Sequence, residues 1–196
     1  MSEIMERPEP RYSYGDYVQW TGDERWELID GVPYLMSPAP GLEHQRISRR
    51  LIRQLDEQLE GNPCEPFNAP IDVRLPERDE ADEGILSVVQ PDIVVVCDES
   101  KLDEKGVRGT PDFVIEILSP ATAQRDQILK ADLYARHGVK EYWIVDPEKK
   151  QVSVHRLGEE LTWREVRLFR GEGALPVEAV EGLQIDLDKV FQDRKS

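Results

Sequence analysis

Two short apolar runs, Ile93–Cys97 and Phe113–Leu118, constrain this chain most, because each reads as a strand buried on both faces and each carries one acid. Asp92 opens the first run. Glu116 lies inside the second, between Val114-Ile115 and Ile117-Leu118. A carboxylate in such a strand is costly unless a metal or a charged partner compensates it. Two acids and one nearby lysine are the minimum set for a magnesium-dependent site that cleaves phosphodiesters.

The segment between the runs, Asp98–Thr110, is short enough for a hairpin. If it closes symmetrically, Val96 faces Asp112 and Asp92 faces Glu116. Directly opposed residues have Cβ atoms about 5 Å apart, so one hard cation could bridge both carboxylates. Pro-Asp occurs twice, at 91–92 and 111–112. Asp112 is four residues from Glu116, roughly 13 Å at strand rise, too far to share a metal with it. It reads as a strand-entry or turn residue.

The remaining chain alternates helical and strand patterns. Trp26–Met36 reads as a hairpin around Asp30-Gly31, followed by a break at Pro38, Pro40 and Gly41. A helix is expected over Glu43–Leu59, where Ile47, Leu51, Ile52, Leu55 and Leu59 recur at helical spacing. A short strand at Ala69–Leu75 precedes the acidic loop Glu77–Glu83. After Phe113–Leu118, the residues Ser119, Pro120 and Thr122 offer turn and cap chemistry for a second helix, Ala123–His137, ended by Gly138. Strands follow at Glu141–Val145, Val152–Arg156 and Thr162–Phe169. The expected architecture is α/β, one mixed central sheet flanked by helices, in a single domain over residues 1–196 with residues 1–10 as a loose tail.

On the second helix, Lys130 has Asp126 and Tyr134 one turn to either side. An exposed Asp126–Lys130 pair at (i, i+4) is the plainer reading of that spacing, worth only about 0.3–0.5 kcal/mol. The alternative is that Lys130 supplies the cation beside the two acids. Tyr134 and His44 are candidates to support the site from behind, or simply a half-buried tyrosine and a helix-start histidine.

Composition narrows the partners. The longest apolar runs are far too short to cross a bilayer, and the polar start MSEIMERPEP lacks the apolar core of a signal peptide. Cys64 and Cys97 show no framework spacing, so cytoplasm is the expected compartment and Cys97 reads as a small strand-end hydrophobe. His137 and His155 have no metal-ligand spacing with either cysteine, which points away from zinc. The formal net charge of −15 disfavours a polyanion partner unless cations are concentrated locally. Arg46, Arg49, Arg50 and Arg53 fall on one broad face of the first helix: either a stripe for DNA phosphates or a solvated face. As a stripe, reversing Arg46, Arg49 and Arg53 to Glu should abolish DNA retention at low salt.

PDIVVV, PDFVIEILSP, the D-x3-K-x3-Y spacing of Asp126, Lys130 and Tyr134, GVKEYWIVDP and the upstream WELIDGVPYLMSP together resemble the Uma-two family. This is a bacterial family of restriction-type endonucleases, and the resemblance covers roughly Tyr14 to Leu187. It implies a branch of the PD-(D/E)XK nuclease superfamily, with a restriction-endonuclease-like mixed sheet and acids on two core strands. On that basis Asp92 is the acid of PD and Glu116 the acid of (D/E)XK. The motif lysine position holds Leu118, and the family pattern takes its lysine from the following helix, here Lys130. The implied activity is Mg²⁺- or Mn²⁺-dependent hydrolysis of DNA, with Asp92 and Glu116 as metal ligands and Lys130 as the catalytic cation. A two-fold dimer suits cutting of both strands. Two rivals remain: a nuclease-fold binding module that no longer cuts, and a phosphoesterase acting on small nucleotides.

Overall fold

In the computed structural model the described residues are 11–36, 40–119 and 126–192. The expected tail at 1–10, the break at Pro38, and the capping residues Pro120 and Thr122 with the start of the second helix lie outside them. After a single capped turn, α1 (Tyr14–Tyr17), comes the hairpin of β1 (Trp26–Ile29) and β2 (Val32–Leu35). Asp30 and Gly31 both take positive φ, 54° and 78°, the left-handed pair that a tight two-residue hairpin turn requires. Helix α2 (Leu42–Leu59) buries Ile47, Leu51, Leu55 and Leu59, the stripe its spacing prescribes.

The strands that follow are β3 (Glu65–Asn68), β4 (Val73–Arg74), β5 (Val88–Val89), β6 (Ile93–Val96), β7 (Leu102–Asp103), β8 (Gly106–Arg108) and β9 (Phe113–Ile117). One wide turn of π-type helix at Asp126–Lys130 runs into α3 (Ala131–Arg136). The chain ends in β10 (Glu141–Asp146), β11 (Gln151–Leu157), β12 (Trp163–Arg170), β13 (Ala174–Pro176), β14 (Gln184–Asp186) and the short α4 (Leu187–Val190).

The core sheet has the order β12-β11-β10-β9-β6-β3, with β9 and β10 parallel and the other neighbours antiparallel. Strand alternation divides its side chains between two cores. Ile93, Val95, Phe113, Ile115 and Ile117 pack under α2 and the C-terminal segment. Val94, Val96 and Val114 pack on the opposite face against Leu133 and Tyr134 of α3 and against a second sheet. That second sheet, ordered β2-β1-β5-β4-β8-β7, is a feature the sequence did not suggest. The α/β class holds, but one face of the central sheet is covered by a second sheet as well as by helix.

The cysteines correct a sequence reading. Glu65 pairs with Val96 across β3 and β6, which brings Cys64 opposite Cys97, and the two form a disulfide. Cys97 is therefore a cross-strand link rather than a free small hydrophobe. No helix among the described residues is long and apolar enough to cross a membrane.

Candidate active site

Register decides what Asp92 and Glu116 can do together. Ile93 pairs with Ile115, Val94 with Val114 and Val95 with Phe113, so the next step of the same ladder sets Asp92 opposite Glu116. This is the register that symmetric closure of Asp98–Thr110 predicts. Asp92 is tied to the neighbouring strand directly: its Oδ2 accepts the Ile117 backbone N–H at 2.7 Å. The same oxygen lies 3.2 Å from His44 Nε2, brought in by the first turn of α2. His44 thus stands on Asp92, as a supporting group would.

Glu116 points to the α3 face of the sheet, where alternation puts it, and is 3% exposed. Its Oε1 accepts from Lys130 Nζ at 2.7 Å and from the Tyr134 hydroxyl at 3.0 Å. Lys130 and Tyr134 are one turn apart at the start of α3, so both reach the same carboxylate. Burial, reinforced by Glu116, pushes the Tyr134 hydroxyl well above its ordinary pKa, so it stays protonated and donates. Lys130 is buried and bonded to Glu116 rather than standing exposed on its helix.

Sequence reasoning missed the fourth member, Glu27. It is fully buried in β1, its Oε1 2.7 Å from Lys130 Nζ, and it also accepts the Gln90 backbone N–H at 2.8 Å. Gln90 lies two residues before Asp92, so Glu27 ties the second sheet to both halves of the site. The signal was present: Glu27 is a lone acid in the apolar strand WELI, as Glu116 is in FVIEI. Asp112, by contrast, is structural, accepting the Cys97 backbone N–H and pairing with Lys140 at 2.6 Å.

Glu116 and Glu27 hold one ammonium, Lys130, and Asp92 stands on the strand beside Glu116; three carboxylates and one ammonium make a formal balance of −2 when all are ionised. That balance and the all-oxygen donor set of Asp92 and Glu116 suit a hard divalent cation. Among the described residues no group of three or more His, Cys, Asp or Glu forms a metal cage, so a cation would depend on the Asp92–Glu116 pair and main-chain oxygen. The arginine face of α2 is largely neutralised: Arg46 and Arg50 pair with Glu43, Arg53 pairs with Glu57, and Arg50 also donates to the Val190 carbonyl.

Residues 14–188 match the Uma2 family, described as "Putative restriction endonuclease". The chain belongs to the Uma2 family. The "Uncharacterized protein slr1290" of Synechocystis sp. is 24% identical to this Uma2 chain over 188 residues, 94% of each protein. A crystal structure described as a putative nuclease belonging to DUF820 from Anabaena variabilis has a TM-score of 0.71 at 20% identity, covering 91% of this chain and 97% of that one. At that identity the likeness is one of fold.

Proposed function

We propose that this Uma2 protein is a metal-dependent DNA endonuclease of the PD-(D/E)XK type. The observation that carries the reading is Glu116: a buried acid bonded to Lys130 and Tyr134, on a strand whose partner presents Asp92. Asp92 and Glu116, with a main-chain carbonyl near Ile117, would hold Mg²⁺ or Mn²⁺. Such an ion, when bound, makes a water more acidic and draws charge off the phosphate.

The protein's own groups do the rest. His44 and the Ile117 N–H fix Asp92 in one orientation. Tyr134 does the same for Glu116. Lys130 Nζ, a compact charge between Glu27 and Glu116, stabilises negative charge as water oxygen bonds to phosphorus and the ester P–O bond breaks. The attacking water gives up one proton to solvent, and the departing oxygen takes up one from solvent as the bond opens.

The test is cleavage of supercoiled plasmid and of single-stranded DNA with Mg²⁺ or Mn²⁺, comparing wild type with Asp92→Ala and Glu116→Gln. Nicking that requires the metal and is lost in both variants is expected. Failure of the folded wild type to cut any DNA with either metal would refute the reading. The net charge of −15 favours a second reading, hydrolysis of small nucleotides, and activity that falls as oligonucleotide length rises would select it.

A further inference from the structure

The face that carries Glu116 continues across the sheet as a row. Strand pairing puts Glu116 beside Ile144, Ile144 beside Ser153, and Ser153 beside Leu168. At about 4.8 Å per strand, Ser153 stands roughly 10 Å from Glu116. That equals about three stacked base steps at ~3.4 Å each, and fewer in an extended single strand. A cavity of about 350 Å³ opens over this row, lined among others by Leu118, Ile144, Gln151, Ser153, His155 and Leu168.

Its chemistry is that of a site for a flat heterocycle. Leu118, Ile144 and Leu168 supply apolar surface, and Leu168 is 66% exposed at the sheet edge, an apolar side chain held out beside the opening. The polar groups converge on one side. Ser153 Oγ is 3.1 Å from His155 Nε2, and Nδ1 of the same buried ring has no hydrogen-bond partner among the described residues. The ring is fixed by Tyr142 and Trp163, with centroids 5.4 and 5.5 Å away. Gln151 adds an amide. Asp146 and Lys149 also line the cavity and pair with each other at 3.0 Å, and Arg170 lies opposite Gln151 on the exposed edge strand.

We propose that this cavity takes one unpaired nucleobase of the DNA strand whose phosphodiester lies at Asp92 and Glu116. The substrate class is then single-stranded DNA, or duplex DNA with a base turned out beside the cut. A base inside a duplex cannot reach such a pocket without leaving its stack, whereas an unpaired base enters at little cost. Packing of the base against Leu118, Ile144 and Leu168 is sequence-tolerant, with the Ser153–His155 pair at the base edge. The position of the cut rests on the nuclease reading; occupancy of the cavity does not.

The experiment is therefore a binding one, in EDTA. Wild-type protein is titrated with a DNA hairpin bearing one unpaired 2-aminopurine and with its fully paired counterpart. About tenfold tighter binding of the unpaired form is expected, together with a change in base fluorescence. Ser153→Trp, which fills the cavity, should erase the preference and leave paired-duplex affinity unchanged. Leu168→Asp is a second variant at an exposed position, informative even if Ser153→Trp fails to fold. Equal affinity of wild type for the two hairpins, or a preference that survives in Leu168→Asp, would overturn the proposal. Base preference without any metal-dependent cleavage would overturn the endonuclease reading while supporting the cavity.

Discussion

Lys130 is the residue on which the site's balance turns. It is an ammonium 2% exposed, with a carboxylate oxygen of Glu27 and one of Glu116 each at 2.7 Å. Removing one partner of a buried ion pair costs far more than the pair contributes, because the remaining charge has no water to replace it. Lys130→Met should therefore destabilise the protein by about 3–5 kcal/mol in urea unfolding. Adding Glu27→Gln should restore part of that loss. A Lys130→Met protein as stable as wild type would contradict this picture. His155 makes a prediction about pH. Burial pushes its pKa down to about 4, so the ring stays neutral in the fold, while the unfolded chain takes up a proton near pH 6.5. The unfolded state binds more protons between those values, so the contribution of His155 is whole above about pH 6.5 and is lost as pH falls toward 4. Thermal melts across that window should lose steepness in His155→Gln, and an unchanged slope would refute the assignment.

At the scale of elements, the disulfide links the edge strand β3 to β6, the strand that Asp92 precedes. Closing a loop over a separation of 33 residues removes entropy from the unfolded chain, worth about 3–4 kcal/mol in the loop-entropy account. Reduction, or Cys64→Ala, should lower the melting temperature by several degrees, since each kcal/mol shifts it by roughly 2–4 °C at this size. A melting point indifferent to reductant would count against the link. The same strands show why some features are legible in sequence and others are not. The Asp30-Gly31 hairpin, the stripe of α2 and the register that opposes Asp92 to Glu116 are local, each fixed by a turn or a period within a few tens of residues. Strands β4, β5, β7 and β8 have two or three residues each, too few to carry a period. Apart from the local β7–β8 hairpin, they join segments distant in sequence, as Leu28 joins Val88. Glu27 and Cys64 were overlooked for the same reason: their partners lie about a hundred and about thirty residues away, and only the folded sheets bring them near.

At the scale of the molecule, a net charge of −15 works against the polyanionic substrate that the proposed function requires. The α2 arginines help little, because Glu43 and Glu57 already pair with three of the four. Reversing Arg46, Arg49 and Arg53 to Glu should thus weaken DNA binding only modestly, and the salt dependence of affinity should be shallow. A steep slope flattened by that triple variant would restore the stripe. On the proposed reading, binding is concentrated at the acids instead: Asp92 and Glu116, on paired strands, would hold one divalent cation between them. Titration with Mn²⁺ followed by electron paramagnetic resonance tests it most directly. One bound ion per chain is expected in wild type and none in folded Asp92→Ala or Glu116→Gln. Wild-type Mn²⁺ binding in either variant would contradict it.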